Sequence, residues 1–560
     1  MGLSNEEVVL RCVGLGVLSH VCYFVHGEHT LRAPLYVKTV VLGPPAFSVL
    51  LTRLSFLTFW QAVQVTALGC LAYLGGIFVS MLVYRTCLHP LRRFPGPWLA
   101  QYTQFYHFFK VKDKIDNYRH LARLHAEYGD YVRVGPNLLS VADPDMIGVM
   151  FDRDTKFEKA DWYDIGYPWT SLTQIRDKSL HDDRRRHGWD AAFTAKALRN
   201  YDARIVKYAD QLVAQMCRRS GEVVDAARWF EWYSFDIMGD LAFGRAFNAV
   251  QMGQSHIYID TMHETSPFPL GCLATMPWVI HTMGSIIPDR LNPFMRLVRY
   301  SAECIEQQKE KAQIAQKGKT EPAEPDIMTQ ILNKGPFFVD DPKRDDLLLV
   351  GDARLLIVAG SDTTAAAITC AFYQLAKDES HVLKLRAELD AEGIRNDGNL
   401  TVQKLHKLKF LDGFIRETLR LYPPVPGGTF RNTPKEGVVI NGQALPGGVK
   451  VIAPQYLIHR SSKAFEDPDE FVPERWTTLK DRLVKKDAWF PFSTGKFACI
   501  GKQLALDEIR AVVAKMVLEF DIVFAEGETG RALLEESQDI FTMVMAKLNL
   551  CFIKRGINTG

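Results

Sequence analysis

Three long apolar stretches open the chain and distinguish its first part from the rest. They cover residues 8–25, 40–60 and 62–84. The third has 23 consecutive residues without a charged side chain, enough for a helix to cross a bilayer core of about 30 Å. The second contains Pro44, Pro45 and Arg53, and the first contains Arg11. We therefore predict a membrane region with one to three transmembrane helices in residues 1–90.

Basic residues follow the third stretch at once, at Arg85, Arg92 and Arg93. Because such residues stay on the cytoplasmic side, the rest of the chain is predicted to face the cytoplasm from the endoplasmic reticulum membrane. If all three stretches span, the N-terminus is lumenal. A cleaved signal peptide is the alternative for the first stretch, but Glu6 and Glu7 stand where such a peptide carries basic residues.

Beyond residue 90 the apolar positions recur mostly with the 3.6-residue period of amphipathic helices. The clearest predicted helices cover residues 116–128, 196–218, 291–315, 343–377, 381–392 and 407–421. Shorter runs typical of strands cover residues 131–134, 437–440 and 449–453. The polar segment at 316–325 is predicted to be a loop. It is not predicted to be a domain boundary, because amphipathic helices resume on both sides of it. The pattern predicts a single, mainly α domain over residues 91–560.

Composition limits the function without defining it. Hydrophobic residues make up 47% of the chain and charged residues 24%, as in an ordinary folded protein. The formal net charge of +2, with no cluster of basic and aromatic residues, argues against nucleic-acid binding. The ten cysteines include no Cys-x-x-Cys pair, so zinc-finger and thioredoxin-like motifs have no support.

One cysteine stands in a setting that suits a metal ligand. Cys499 lies between Gly495 and Gly501 in a segment that begins at Phe492, and a helical pattern follows from Gln503. Glycine permits the close backbone approach that a thiolate ligand on a loop requires. The positive end of the following helix would stabilise the thiolate charge. A buried cysteine in a glycine-rich turn is the structural alternative.

Two further motifs place polar residues on predicted helices. Glu417 and Arg420 are three positions apart on one predicted helix face, and Arg475 follows in a Pro-Glu-Arg-Trp segment. The predicted helix 343–377 contains Gly360-Ser361-Asp362-Thr363-Thr364, residues that compete for backbone hydrogen bonds and are expected to bend or open a helix. A solvated charged face and a simple kink are the respective alternatives.

Taken in order, these segments resemble the cytochrome P-450 family over residues 90–550. The family's haem-binding loop, Phe-x-x-Gly-x-Arg-x-Cys-x-Gly, matches at Phe492, Gly495, Cys499 and Gly501. Phe497 departs from it, because the family usually has an Arg or His there that pairs with a haem propionate. Lys496, one position earlier, is a candidate for the missing charge.

The resemblance implies a cytochrome P-450 fold and a role for each matched residue. It implies haem b with Cys499 as the axial iron ligand, Thr363 acting on dioxygen and Asp362 relaying protons. It also implies a buried triad of Glu417, Arg420 and Arg475. Basic residues expected near the haem propionates are Arg431 and Arg185, with Arg186 as the alternative to the latter.

The resemblance further implies a monooxygenase of fungal secondary metabolism that oxidises a hydrophobic small molecule. Segments 157–170 and 267–280 are expected to cover its pocket. Electrons would come from an NADPH-cytochrome P-450 reductase, with cytochrome b5 as a further donor candidate, docking near Lys496, Lys502 and Arg510. Two alternatives stay open: a haem-thiolate isomerase or coupling enzyme without oxygen insertion, and a non-catalytic haem-binding membrane protein.

Overall fold

A computed structural model describes residues 4–55, 57–318, 325–394 and 400–556. The N-terminal region holds three helices, α1 Asn5–Ser19, α2 Ala33–Leu54 and α3 Phe59–Val83. The described body holds nineteen more: α4 Trp98–Tyr102, α5 Phe105–Val111, α6 Asn117–Tyr128, α7 Met146–Met150, α8 Lys178–Arg184, α9 Ala195–Arg218, α10 Ala226–Phe243, α11 Ala249–Met252, α12 Ile257–Thr265, α13 Pro277–Ile286, α14 Phe294–Gly318, α15 Ile327–Leu332, α16 Pro342–Lys377, α17 Glu379–Ala391, α18 Val402–Leu405, α19 Lys409–Leu421, α20 Gln455–Ile458, α21 Lys502–Glu519 and α22 Arg531–Glu536.

Twelve short strands form four small sheets in the described residues. They are β1 Tyr131–Gly135, β2 Leu138–Val141, β3 Glu158–Lys159, β4 Val223–Asp225, β5 Phe430–Asn432, β6 Val438–Ile440, β7 Gln443–Leu445, β8 Lys450–Ile452, β9 Phe520–Phe524, β10 Gln538–Ile540, β11 Thr542–Val544 and β12 Asn549–Lys554. The largest sheet has the order β1-β2-β8-β5-β3. Its last pair is antiparallel and sets Lys159 directly opposite Arg431.

Four described helical segments are long and apolar enough to span a membrane. Three of them, Asn5–Phe24, Thr30–Leu54 and Phe59–Leu88, are at most 11% buried within the protein, whereas Pro342–Lys377 is 72% buried. The last is therefore a core helix, and the exposed apolar surface of the first three is suited to lipid. The second helix begins at Ala33, earlier than the predicted apolar stretch at residue 40, because the charged Lys38 that limited the stretch does not interrupt the helix.

The helices α1 and α3 run parallel and touch at glycines. A Cβ at Gly16 would lie 2.2 Å from the Tyr73 carbonyl oxygen, and one at Gly76 would lie 2.4 Å from the Val13 oxygen. Farther along, His20 Nδ1 is 2.9 Å from Ser80 Oγ. Small residues such as Gly16 and Gly76 let membrane helices pack backbone to backbone.

The connection between α1 and α2 rests on the catalytic body. Thr30 Oγ1 donates to Asp161 Oδ2 at 2.5 Å, and Glu28 Oε2 is 2.6 Å from an Arg176 guanidinium nitrogen. The start of α2 and the ends of α1 and α3 therefore lie on the body side. The connection between α2 and α3 lies at the opposite end.

The core of the body is built around α10 and α16, with α9, α19 and α21 packed on them. The periodicity of apolar positions in the sequence did not predict α10. Its residues are buried on nearly all sides, so no polar face marks a helical period. The helix predicted at 291–315 begins at Phe294 and continues to Gly318, so the first part of the predicted loop at 316–325 is helical. Residues 319–324 of that loop lie outside the described part of the chain.

Candidate active site

The loop from Phe492 to Gly501 is held in one conformation by its own backbone. The Cys499 amide donates to the Phe492 carbonyl at 2.8 Å, and α21 begins directly after Gly501. Gly495 has a φ of +66°, and a Cβ there would lie 1.9 Å from the Phe151 carbonyl oxygen, so a side chain is excluded. At Gly501 the nearest atoms to an added Cβ are 4.0 Å away, so protein contacts alone do not demand glycine there.

Cys499 is enclosed by the protein body yet keeps an accessible side chain. Burial raises the pKa of its thiol. The backbone N–H groups of Gly501 and Lys502 and the charges of Arg185 and Lys502 oppose that rise, because they favour the thiolate. Arg185 is fixed beside the loop, since its guanidinium donates to the carbonyl oxygens of Ala498 at 3.0 Å and Lys496 at 3.3 Å. The sulfur is therefore accessible to a metal ion that would replace the thiol proton.

The polar cluster predicted to bend or open a helix lies in α16, which continues as α-helix from Pro342 to Lys377. The helix therefore continues through the cluster without a break. The side chains find partners without it: Thr363 Oγ1 donates to the Ala359 carbonyl at 2.8 Å, and Ser361 Oγ donates to the Ser234 carbonyl of α10 at 3.2 Å. Asp362 is buried, and burial raises the pKa of its carboxyl group.

A chain of charged side chains leads away from Asp362. His263 Nε2 of α12 is 3.7 Å from Asp362 Oδ1, and His263 Nδ1 is 2.8 Å from Glu231 Oε1 of α10. Glu231 in turn pairs with the partly exposed Arg228 at 2.9 Å. Burial alone would lower the pKa of His263, but its contacts with Asp362 and Glu231 raise the pKa to about 10. Sequence reasoning missed both partners, because no motif connects α10, α12 and α16.

Glu417, Arg420 and Arg475 meet in the interior with no exposed surface. Arg420 makes two bonds to the Glu417 carboxylate, at 2.8 and 2.9 Å, and Arg475 Nε donates to it at 2.9 Å. Trp476 Nε1 adds a fourth donor at 2.9 Å. The arginines give their remaining hydrogens to backbone carbonyls, so the carboxylate and both guanidinium groups are well satisfied.

Comparison with known proteins identifies the relatives of this chain. A family model described as cytochrome P-450 matches residues 95–552. A cytochrome P-450 monooxygenase from Aspergillus versicolor is 36% identical over 556 residues, which cover 99% of both chains. The chain belongs to the cytochrome P-450 family. The fold class and the monooxygenase class predicted from the sequence are confirmed.

Other fungal relatives span the membrane region as well as the catalytic body. A cytochrome P-450 monooxygenase from Fusarium pseudograminearum is 36% identical, covering 97% of this chain and 96% of its own. A tryprostatin B 6-hydroxylase from Neosartorya fischeri is 34% identical, covering 97% of both chains. These relatives resemble this cytochrome P-450 over nearly its whole length.

The family binds haem through a cysteine thiolate, and the residues around Cys499 fit an anionic haem. Arg431 is 2% exposed, and its Nη1 donates to Tyr163 Oη and to the Phe430 carbonyl, each at 2.9 Å. Its Nε has no hydrogen-bond partner, and no carboxylate pairs with it in the described part of the chain. A buried cation with an unused donor is suited to a ligand that carries carboxylates.

Lys496, the candidate for the charge that Phe497 lacks, is paired with a carboxylate of the chain in this structure. Its Nζ is 2.7 Å from Asp182 Oδ2, and both side chains are about a quarter exposed. Arg510, expected to face a redox partner, is buried against Asp507 and Asp412. Of the three expected docking cations, only Lys502 has no carboxylate pair among the described residues, and its Nζ lies over the rings of Trp489 and Phe492.

A small cavity of about 50 Å³ lies between the large sheet and the β10–β11 hairpin. Both segments expected to cover the pocket reach it, through Trp162 and through Ala274 and Thr275. Phe541, also in its wall, precedes Thr542, whose Oγ1 is 3.4 Å from Asp362 Oδ2. The walls are mostly apolar and aromatic, with His107, Asn117, Thr275 and Asp539 as polar exceptions.

Proposed function

We propose that this cytochrome P-450 is anchored in the endoplasmic reticulum membrane and binds haem b through Cys499. We further propose that it oxidises a hydrophobic small molecule in fungal secondary metabolism. The observation that carries the proposal is the Cys499 loop, because it presents an accessible sulfur at the N-terminal end of α21 with two amide groups directed to it. Phe492 and Gly495 keep that loop in place.

When bound, the haem iron and its thiolate ligand supply the activation of dioxygen. The chain supplies the protons and the orientation. Burial raises the pKa of the Asp362 carboxyl, which favours proton uptake there, and the Thr363 hydroxyl one position later can accept and donate hydrogen bonds beside it. The presence of both side chains supports oxygen chemistry over isomerisation or coupling without oxygen insertion.

The lining of the cavity supports an apolar substrate. Its wall includes Trp162, Phe430 and Phe541, and ligand sites are lined mainly by such apolar and aromatic side chains. Because one relative is a tryprostatin B 6-hydroxylase, tryprostatin B is the first substrate to examine. The Asp539 carboxyl in the wall has a pKa raised to about 7 by burial, so it is available as a polar contact.

A groove of about 720 Å³ beside the Cys499 loop supports docking of an electron donor. Its wall combines Phe492 and Trp489 with more basic than acidic residues; the basic ones are Arg153, Arg416, Lys486 and Lys502, and the acidic ones are Asp152 and Asp487. An NADPH-cytochrome P-450 reductase with an acidic surface fits this groove, and cytochrome b5 is a second candidate for the same surface.

The carbon monoxide difference spectrum of reduced membranes tests the iron ligand. Wild-type protein is expected to show the red-shifted Soret band of thiolate ligation, and Cys499→Ser is expected to lose it. Cys87→Ser is the matched control, because Cys87 is exposed and lies before the catalytic body. Haem binding without that band in the wild type, or a band that survives Cys499→Ser, would contradict the assignment.

A further inference from the structure

Two basic side chains occupy opposed positions on neighbouring strands of the large sheet. Lys159 of β3 lies directly opposite Arg431 of β5 in the antiparallel pair. Lys159 is 3% exposed and Arg431 is 2% exposed. Like charges at directly opposed positions of a sheet repel each other, and burial strengthens that repulsion.

In the part of the chain that the structure describes, no carboxylate forms an ion pair with Lys159 or with Arg431. Lys159 Nζ donates to the carbonyl oxygens of Thr173 at 2.7 Å and Ile175 at 2.9 Å, and Arg431 Nε donates to nothing. Asp182 is the carboxylate that acts on Lys159 at longer range, but Lys496 holds it in an ion pair. Burial and the charge of Arg431 lower the pKa of Lys159 well below its usual value. An added anion would relieve this unfavourable arrangement.

Phe497 links the two cations to the Cys499 loop. Its ring centre lies 4.5 Å from Lys159 Nζ and 5.2 Å from the central guanidinium carbon of Arg431, and the His181 ring packs against it at 4.9 Å. The electron-rich ring face attracts cations. Phe497 therefore contributes no charge itself but holds two charges beside the loop that carries the iron ligand.

We propose that Lys159, together with Arg431, binds a haem propionate and supplies the cation that Phe497 does not. The inference rests on the proposed haem function. It explains why a lysine and an arginine are buried face to face without a carboxylate from the chain. Lys159 is a cofactor-binding residue in this assignment, and Phe497 positions it.

The rate at which haem passes from the purified holoprotein to excess apomyoglobin tests the proposal. Lys159→Met keeps most of the side chain but removes the charge, and haem loss is expected to become about tenfold faster or more. Lys159→Arg is expected to retain haem nearly as well as the wild type. Lys156→Met is the matched control, because Lys156 is exposed and pairs only with Glu436.

A second substitution separates charge from folding. Phe497→Arg in the Lys159→Met background returns a cation to the loop and is expected to restore slow haem loss. Haem loss from Lys159→Met at the rate of Lys156→Met would overturn the proposal, and so would failure of Phe497→Arg to slow it. If Lys159→Met gives no folded protein, Lys159→Arg decides: the propionate bending band in its resonance Raman spectrum should shift, and an unchanged band refutes the contact.

These outcomes are distinct from a failure of the proposed function. A wild-type protein without haem, or without the thiolate band, contradicts the role of Cys499 before Lys159 is tested. A normal thiolate band in Lys159→Met with unchanged haem retention would contradict the propionate contact alone.

Discussion

Buried charges in this protein are of two kinds, which differ in where the opposite charge comes from. Glu417 satisfies Arg420 and Arg475 from within the chain, so that cluster can form as soon as the body folds. Lys159 and Arg431 have backbone and aromatic contacts only, so their stabilisation awaits a ligand. Removing one member of a satisfied buried cluster strands the others, which costs about 3–5 kcal/mol.

His263 belongs to the first kind and gives a pH-dependent prediction. Its folded pKa is raised from 6.5 to about 10 by contacts with Glu231 and Asp362. A raised pKa stabilises the fold fully below pH 6.5, and the stabilisation is lost as the pH rises through 10. His263→Gln should therefore lower the free energy of unfolding by about 3 kcal/mol at pH 6. The difference in melting temperature from wild type should shrink between pH 6.5 and 10.

Melting curves followed by circular dichroism in detergent provide the measurement. His187→Gln serves as the control, because His187 is exposed and its ring contacts only a backbone carbonyl. A difference between wild type and His263→Gln that stays constant across this pH window would show that the ion pairs do not form.

At the scale of elements, the parallel packing of α1 on α3 makes a prediction about cross-linking. A Cβ placed at Gly69 would lie 3.4 Å from Cys12 Sγ, whereas one at Gly75 would meet nothing within 4 Å. Gly69→Cys should therefore form a disulfide with Cys12 under mild oxidation, because the atoms are within reach of disulfide geometry. The cross-linked chain should migrate faster on a non-reducing gel.

Gly75→Cys is the matched control for this experiment, since it adds a thiol on a different face of the same helix. Equal cross-linking of both variants would mean that the thiols meet by collision rather than by packing. No cross-link in Gly69→Cys would contradict the contact between α1 and α3.

At the scale of the whole molecule, the contacts of Thr30 and Glu28 place the α1–α2 connection on the side of the catalytic body. The α2–α3 connection lies at the other end, so three crossings leave it in the lumen if the body faces the cytoplasm. An Asn-x-Ser sequon inserted with flexible spacers after Leu54 should be glycosylated in microsomes, because the modification requires lumenal exposure. An endoglycosidase-sensitive mobility shift would report it.

The same spacer and sequon inserted after Val25 should remain unmodified, which makes it the control for this topology. Glycosylation after Val25 and not after Leu54 would reverse the orientation. Glycosylation at neither position would indicate that α1 and α2 do not both cross the membrane.

The sequence alone determined the features that depend on neighbours along the chain. Apolar length marked the membrane helices, a 3.6-residue period marked helices such as α9 and α19, and fixed spacing marked the Cys499 loop. Local spacing also paired Glu417 with Arg420, because residues three apart share a helix face.

Only the tertiary structure decided the features that depend on residues distant along the chain. It buried α10 on nearly all sides, set His263 between Glu231 and Asp362, and placed Lys159 opposite Arg431. When the partner of a charged residue belongs to another helix or strand, the sequence does not show which residue that partner is. The packing of the body brings these charges together, and their burial strengthens the electrostatic interaction at each contact.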